Sequence, residues 1–295
     1  MKSSNISGEE LYRWYQQAKK EAIALAIPPD EVDWLLQTVT NLDSLSLRLG
    51  TYKERSQIKS DRSLADLIRL WQQRLHERIP VQYLVETVFW RRFQLRVNSA
   101  VLIPRPETEL IIDLAREKNL ITEGEQHWVD LGTGSGAIAL GLAEIFPQAT
   151  VHAVDVSWGA LKIARENAVN SKLDQNISFY QGSWWNPLNF LKDRVTGMVS
   201  NPPYIPTQEI DNLQLEVAHE PRLALDGGND GLDEVRCLIQ DAPAYLVSGG
   251  IWLVELMMGQ ADTVAKLLEK QGEYSEIEIH EDLNGIERFV LAYRR

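Results

Sequence analysis

The sequence predicts an α/β fold: a mostly parallel sheet with helices on both faces, preceded by a small helical bundle. Three observations carry this. From residue 127 onward, short apolar runs of β character alternate with helical runs, the pattern of strand–helix–strand units. Gly132, Gly134 and Gly136 stand between the first such strand and the first such helix. Before residue 80, apolar residues recur only at helical spacing.

Residues 1–80 read as helices alone. Leu11, Trp14, Tyr15, Ala18, Ala22 and Leu25 fall on one helical face. Pro28-Pro29-Asp30-Glu31 marks a helix start, with Val32, Leu35, Leu36 and Val39 following on one side. A third helix runs from about Ser63 through Leu64, Leu67, Ile68, Trp71 and Leu75, and Pro80 closes it. Trp14, Trp34 and Trp71 are expected to anchor the core of this bundle. With no cluster of reactive side chains in it, the segment is expected to serve substrate docking.

Residues 81–103 read as a linker with short strands or a hairpin, drawn from Thr87–Trp90, Phe93–Val97 and Val101–Ile103. The second domain then covers residues 104–295. Pro104-Arg105-Pro106 stiffens its entry, and Thr108 is a candidate N-cap for the helix that follows. Glu107 and Glu109 fit a salt-bridge or capping role as well as a site role. Further strands are expected at 127–131, 149–156, 176–181, 195–200 and 249–256, with a last pair near 275–281 and 287–294. Helices fit at 136–146, 158–170, 231–246 and 259–271. Such sheets bind ligands beyond the carboxyl ends of their strands, near the switch in strand order.

The chain has 295 residues, 44% hydrophobic and 24% charged, as in ordinary globular proteins. Its formal charge of −12 argues against a surface that grips nucleic acid directly, which needs clustered Lys and Arg. The single cysteine, Cys237, excludes an internal disulfide and is expected to be a small buried apolar residue. Neither a signal peptide nor an apolar run of membrane-spanning length is present, so no membrane association and a cytoplasmic location are expected.

The glycine turn is the first candidate site. Val129-Asp130-Leu131 leads into Gly132-Thr133-Gly134-Ser135-Gly136, and glycine lets a ligand approach the backbone closely. Asp155 ends the next strand, where a carboxylate accepts from both hydroxyls of a ribose. A dinucleotide site has a similar layout. A phosphate-binding P-loop is disfavoured, since no Gly-Lys-Ser/Thr follows. Gln181-Gly182-Ser183-Trp184 comes after the third strand, and Trp184 is a candidate to pack on an adenine ring or to serve the core. Trp185 reads as structural.

Asn201-Pro202-Pro203-Tyr204 is the second candidate site. A side-chain amide oxygen, a carbonyl on a rigid proline corner and an aromatic ring together hold a planar NH2 group: two acceptors take its hydrogens and the ring covers its face. An amide nitrogen is a poor nucleophile, so it must be held in line with its electrophile and allowed to pyramidalise. The Asn201 oxygen and the Pro202 carbonyl achieve this by orientation, without a general base. Paired with the glycine turn, the tetrapeptide points to methyl transfer from S-adenosylmethionine to nitrogen. No metal is called for.

These motifs resemble those of amino-group methyltransferases with the class I, Rossmann-like fold. Val101–Glu109, with Ile103-Pro104-Arg105-Pro106-Glu107-Thr108-Glu109 at its end, is similar to the segment preceding the catalytic domain in the HemK/PrmC family. Val217-Ala218-His219-Glu220-Pro221-Arg222-Leu223-Ala224-Leu225 and Gly227-Gly228-Asn229-Asp230-Gly231-Leu232 are similar to that family's segment after the tetrapeptide. The resemblance covers about residues 80–295. It implies a glutamine methyltransferase acting on the Gly-Gly-Gln motif of class I peptide-chain release factors, with S-adenosyl-L-methionine as donor and S-adenosyl-L-homocysteine as product. It assigns Gly132–Gly136, Asp155 and Trp184 to the cofactor, and Asn201, Pro202, Pro203 and Tyr204 to the target glutamine, with Asn201 also near the cofactor. Many class I methyltransferases place an acidic residue after the third strand to bind the adenine amino group. Here Gly182 and Ser183 stand there instead. An adenine-N6 nucleic-acid methyltransferase shares the tetrapeptide but calls for a basic recognition region. A dinucleotide-dependent oxidoreductase leaves the tetrapeptide unexplained. A non-catalytic S-adenosylmethionine sensor on this fold would be expected to lack Asn201 or the glycines.

Overall fold

The computed structural model describes residues 4–121 and 123–295, which divide into two compact units. The first is built from residues up to Thr87 together with Leu215–His219. The second comprises Val88–Gln214 and Glu220–Arg295.

In the first unit, α1 (Gly8–Ala24), α2 (Asp30–Val39), α3 (Ser44–Leu49), α4 (Leu64–Glu77) and α5 (Val81–Val85) pack around Leu11, Tyr15, Leu35, Leu36 and Trp71. Trp71 is fully buried, whereas Trp14 and Trp34 lie partly buried against the core. A capping box starts α4: the Ser63 hydroxyl accepts from the Asp66 amide while Asp66 accepts from the Ser63 amide. The unit is not purely helical. β1 (Ser4–Ile6) pairs antiparallel with β2 (Ile58–Ser60), and strands of three residues are too short to show alternation in a sequence.

Leu215–His219 is fastened to this unit by charge. The buried Arg74 guanidinium donates to Glu31 at 2.5 and 2.8 Å and to Glu216 at 2.9 Å. Arg78 meets Glu216 at 3.0 Å, and a His219 ring nitrogen lies 2.8 Å from the Glu77 carbonyl oxygen.

The second unit opens within β3 (Thr87–Trp90), which pairs with β4 (Phe93–Arg96) in a two-stranded sheet joined across Arg91-Arg92. Val101–Ile103 is not a strand; Val101 and Ile103 are buried in irregular backbone. Then come α6 (Glu109–Lys118), β5 (His127–Leu131), α7 (Ala137–Ile145), β6 (Thr150–Asp155), α8 (Trp158–Ser171), β7 (Ile177–Gln181) and β8 (Val195–Ser200). The chain ends with α9 (Asp233–Asp241), β9 (Leu246–Glu255), α10 (Ala261–Gln271), β10 (Tyr274–Glu281) and β11 (Glu287–Arg294).

The described residues form a seven-stranded sheet in the order β10-β11-β9-β8-β5-β6-β7. β11 runs antiparallel to both its neighbours, and the remaining pairs are parallel. Every residue of β5 and β8 is buried, as expected of central strands covered on both faces. The chain winds from β5 toward β7 in one direction and from β8 toward β9 in the other. The switch in strand order therefore falls between β5 and β8, and the Ser200 hydroxyl bridges their carboxyl ends by donating to the Leu131 carbonyl at 2.6 Å. Cys237 is exposed, contrary to the sequence expectation. α9 buries Val235, Leu238 and Ile239, and position 237 lies off that stripe. No described helix is long and apolar enough to cross a membrane.

Candidate functional site

Both candidate motifs meet at the switch point, as the rule for such sheets requires. A cleft of about 300 Å³ opens there, at the small end of the range for ligand sites. Gly132, Thr133, Gly134 and Ser135 line it together with Asp155 and Trp184. Asn201 and Pro203 line it from the end of β8, and Leu102, Ile138 and Val156 add apolar wall. Gly136, Pro202 and Tyr204 do not line the cleft, although each adjoins a residue that does.

Asp130 shapes the glycine turn. It is fully buried, and its Oδ2 accepts from the Thr133 hydroxyl at 2.6 Å and the Ala139 amide at 2.9 Å. Burial pushes its carboxyl up to about 7. Gly134 takes φ 53° and has nothing within 4 Å of where a Cβ would stand, so a ligand meets bare backbone there. Gly136 takes φ 84°, and a Cβ on it would lie 3.1 Å from the Ala164 side chain. Here glycine serves the close packing of α7 on α8.

Asp155 closes the turn's open side. Its Oδ2 accepts from the Gly134 amide at 2.9 Å and its Oδ1 from the Ser157 amide at 2.8 Å. Burial raises its pKa, and those two backbone donors oppose the rise. The Trp184 indole lies against Gly132, with a ring carbon 3.4 Å from where a Gly132 Cβ would stand, and its N–H donates to Glu234 at 2.7 Å. Trp184 holds φ 48°, a left-handed conformation that side chains rarely adopt. Trp185 is buried and stacks on Tyr245 at 4.4 Å.

The two segments that flank the cleft in the resemblance meet each other. Arg105 donates to the buried Glu220 at 2.6 Å, and the Trp90 indole N–H donates to the Arg105 carbonyl at 3.0 Å. Arg105 also lines the cleft, as do Pro221 and Leu223. Glu109 is structural: its Oε1 accepts from the Arg91 amide at 2.8 Å. Thr108 occupies the N-cap position of α6, as the sequence predicts, but its backbone is already helical and its hydroxyl makes no capping bond. The hydroxyl instead accepts from the Asn201 amide nitrogen at 3.3 Å, and it favours the ionised form of Glu255, the last residue of β9.

Several supporting residues were not read from the sequence. Glu255 is 2% exposed, and burial pushes its carboxyl up to about 7. The available signal was a lone carboxylate ending an apolar strand, the same signal that marked Asp155. Gln260 donates to the Tyr204 carbonyl at 3.0 Å and accepts from the Met257 amide at 3.1 Å, which braces the tetrapeptide. Asn167 joins the Ser135 carbonyl at 2.8 Å to both backbone groups of Arg96. Nothing in local sequence marks Gln260 or Asn167, because their partners lie far away along the chain.

The family model described as Methyltransferase small domain matches residues 110–228. The chain is 54% identical to the release factor glutamine methyltransferase of Synechocystis sp., covering 99% of each. It is 41% identical to that of Thermosynechococcus vestitus, covering 97% of this chain and 99% of the other. Among solved structures, the hMettl16 catalytic domain in complex with a 3'UTR hairpin aligns with TM-score 0.57 at 14% identity, covering 88% of each chain. At that identity the likeness shows the fold alone.

Proposed function

This chain belongs to the release factor glutamine methyltransferase family, and we propose that its reaction is carried out in the cleft between the Gly132–Gly136 turn and Asn201–Tyr204. The enzyme transfers a methyl group to the side-chain amide nitrogen of the glutamine in the Gly-Gly-Gln motif of class I release factors. The observation that carries the site assignment is the convergence of both motifs at the β5/β8 switch point, with Ser200 tying one strand end to the other.

The residues present suit S-adenosylmethionine. Bare backbone at Gly134 admits close approach, and the desolvated Asp155 carboxylate at the cleft wall is suited to a pair of ribose hydroxyls. When bound, this cofactor supplies an electrophilic sulfonium methyl that needs little activation. Asn201 Oδ1 and the Pro202 carbonyl accept the two amide hydrogens of the target glutamine. That grip orients the nitrogen and favours the pyramidal geometry in which its lone pair is available. The Tyr204 ring, next in sequence to the cleft-lining Pro203, is assigned to cover the amide face, with Gln260 holding its backbone carbonyl. Removing the proton from the product cation needs no dedicated base, because an N-protonated amide is strongly acidic.

The test is mass spectrometry of the Gly-Gly-Gln peptide from a release factor incubated with enzyme and S-adenosylmethionine. One added methyl on the glutamine is expected. Asn201→Ala is expected to lower turnover by ~10²–10³, the usual cost of one orienting group, while S-adenosylmethionine still binds. Near-normal turnover in that variant would remove the tetrapeptide from the site.

A further inference from the structure

An asparagine amide serves as the acceptor proposed above only if its oxygen, and not its NH2, faces the target. The two ends are nearly the same size, so something must select between them. Asn201 sits at the end of β8, and Glu255 ends the adjacent strand β9. Thr108 comes in from the start of α6. Ser200 and Val254 are paired in the β8/β9 register, so Asn201 and the buried Glu255 follow side by side, and the Asn201 amide nitrogen donates to the Thr108 hydroxyl at 3.3 Å. Thr108 and Asn201 both favour the ionised form of Glu255 against the larger effect of burial.

We infer that Glu255, acting directly and through Thr108, is the positioning residue that turns the Asn201 amide so that Oδ1 faces the target nitrogen. This rests on the site reading given under Proposed function. An ionised carboxylate only accepts hydrogen bonds. With the Thr108 proton directed to that carboxylate in the proposed arrangement, the Thr108 oxygen too is left only to accept. Both neighbours can therefore satisfy only the NH2 end of Asn201, which agrees with the bond from Nδ2 to the Thr108 oxygen at 3.3 Å. The amide is planar, so fixing the NH2 end here sends Oδ1 to the opposite side. A flipped amide would set two donors against the two hydrogens of the substrate amide, leaving those hydrogens unaccepted.

Two further observations point the same way. Thr108 stands where a capping hydroxyl is usual, yet makes no cap, so its hydroxyl is free for Glu255. Glu255 Oε2 is buried and has no donor within hydrogen-bond distance among the described residues. That leaves acceptor capacity for a tighter bond from Asn201 when substrate occupies the cleft, since such bonds are often long in the empty state. The other charged or titratable neighbours of Glu255 are Arg288 on β11, Glu107 before α6, and Tyr204. Arg288 is engaged with Asp282 at 2.7 Å. Protonation would make Glu255 a donor toward Asn201 Oδ1 and favour the flipped amide. Turnover should therefore rise with pH as Glu255 ionises.

The test uses the full-length enzyme with a Gly-Gly-Gln release factor. Glu255→Gln keeps the shape but offers Asn201 an NH2 group. It is expected to lower kcat by about 10²-fold, the scale of losing an orienting group. KM for the factor and Kd for S-adenosylmethionine should stay within threefold, and the rise of kcat through pH ~7 should be lost. Thr108→Val should lower kcat in the same way, and Thr108→Ser should restore it. Adding Glu255→Gln to Asn201→Ala should have no further effect on kcat, because there is no amide left to turn. If Glu255→Gln retains kcat within threefold of the parent while Asn201→Ala is inactive, the positioning role is overturned and the site reading stands. If Asn201→Ala itself is active, the site reading fails and this inference fails with it.

Discussion

Glu255 and Asp130 are carboxyl groups that burial pushes up to about 7. Between their ordinary values and 7, the folded protein holds protons that the unfolded chain has released. Their contribution to stability is therefore most favourable at low pH and declines as pH rises toward 7. Glu255→Gln fixes the neutral form. It is expected to raise the unfolding free energy at pH 8 by on the order of 3 kcal/mol, with the gain vanishing near pH 4.5. Urea titrations at the two pH values measure this. A variant that is more stable and yet slower would separate a role in catalysis from a role in folding. Asp155 is placed to contact a ligand, and Asp155→Ala is expected to weaken S-adenosylmethionine binding by roughly 1.5–3 kcal/mol by calorimetry. An unchanged Kd would remove it as the ribose ligand. That Gly132, Gly134, Asp155 and Asn201 stand around one cleft was legible, because each lies at or just after the end of a strand. Glu255, Thr108 and Gln260 were not, because their roles arise only where separate elements converge.

The turn between β5 and α7 depends on backbone conformation that only glycine adopts without strain. Gly136→Ala would force φ 84° on a side chain and press its Cβ to 3.1 Å from Ala164. It is expected to destabilise the protein by ~1–3 kcal/mol, read as a lower urea midpoint at unchanged slope. On the sheet, a polar chain crosses β5, β6 and β7, with its two histidines buried and its tyrosine half-buried. His127 Nδ1 lies 3.1 Å from His152 Nε2, and His152 Nδ1 lies 3.1 Å from the Tyr180 hydroxyl. Burial pushes His152 down to about 4, with His127 and Arg194 adding repulsion. The unfolded chain takes up a proton near 6.5 that the folded one refuses. Stability is thus lost as pH falls from 6.5 toward 4. His152→Phe is expected to flatten that acid limb of the stability curve, measured by urea unfolding between pH 7 and pH 5. The strands themselves were legible as continuous apolar runs such as Ile251–Val254, and their ends agree with the sequence reading to within about three residues. The His chain left no such trace, since histidine in a strand has no characteristic pattern.

At the scale of the whole molecule, the sequence suggested a helical first domain that serves docking and is separable from the chemistry. The observed units cut the chain differently. Leu215–His219 belongs with the first unit, yet it is continuous with Glu220 and with Pro221 and Leu223, which line the cleft. No composition shift marks this exchange; it depends on Glu216 finding Arg74 and Arg78. Removing residues before Val81 would take away both arginines and leave Glu216 without them, so truncation alone cannot separate docking from the order of the cleft wall. Arg74→Met keeps an unbranched apolar stem and removes the charge. It leaves Glu31 without its arginine and Glu216 with Arg78 alone. Breaking a fully buried pair costs ~3–5 kcal/mol, and the partial exposure of both glutamates brings the expected cost below that. If the ion pair holds the segment that leads into the cleft, Arg74→Met lowers kcat on a short Gly-Gly-Gln peptide as well as on the whole release factor. Arg74→Met with Glu216→Gln is then expected to be less damaging than the sum of the single changes. If peptide kinetics stay normal and only KM for the whole factor rises, the first unit acts by docking alone and the Arg74–Glu216 pair is a matter of stability.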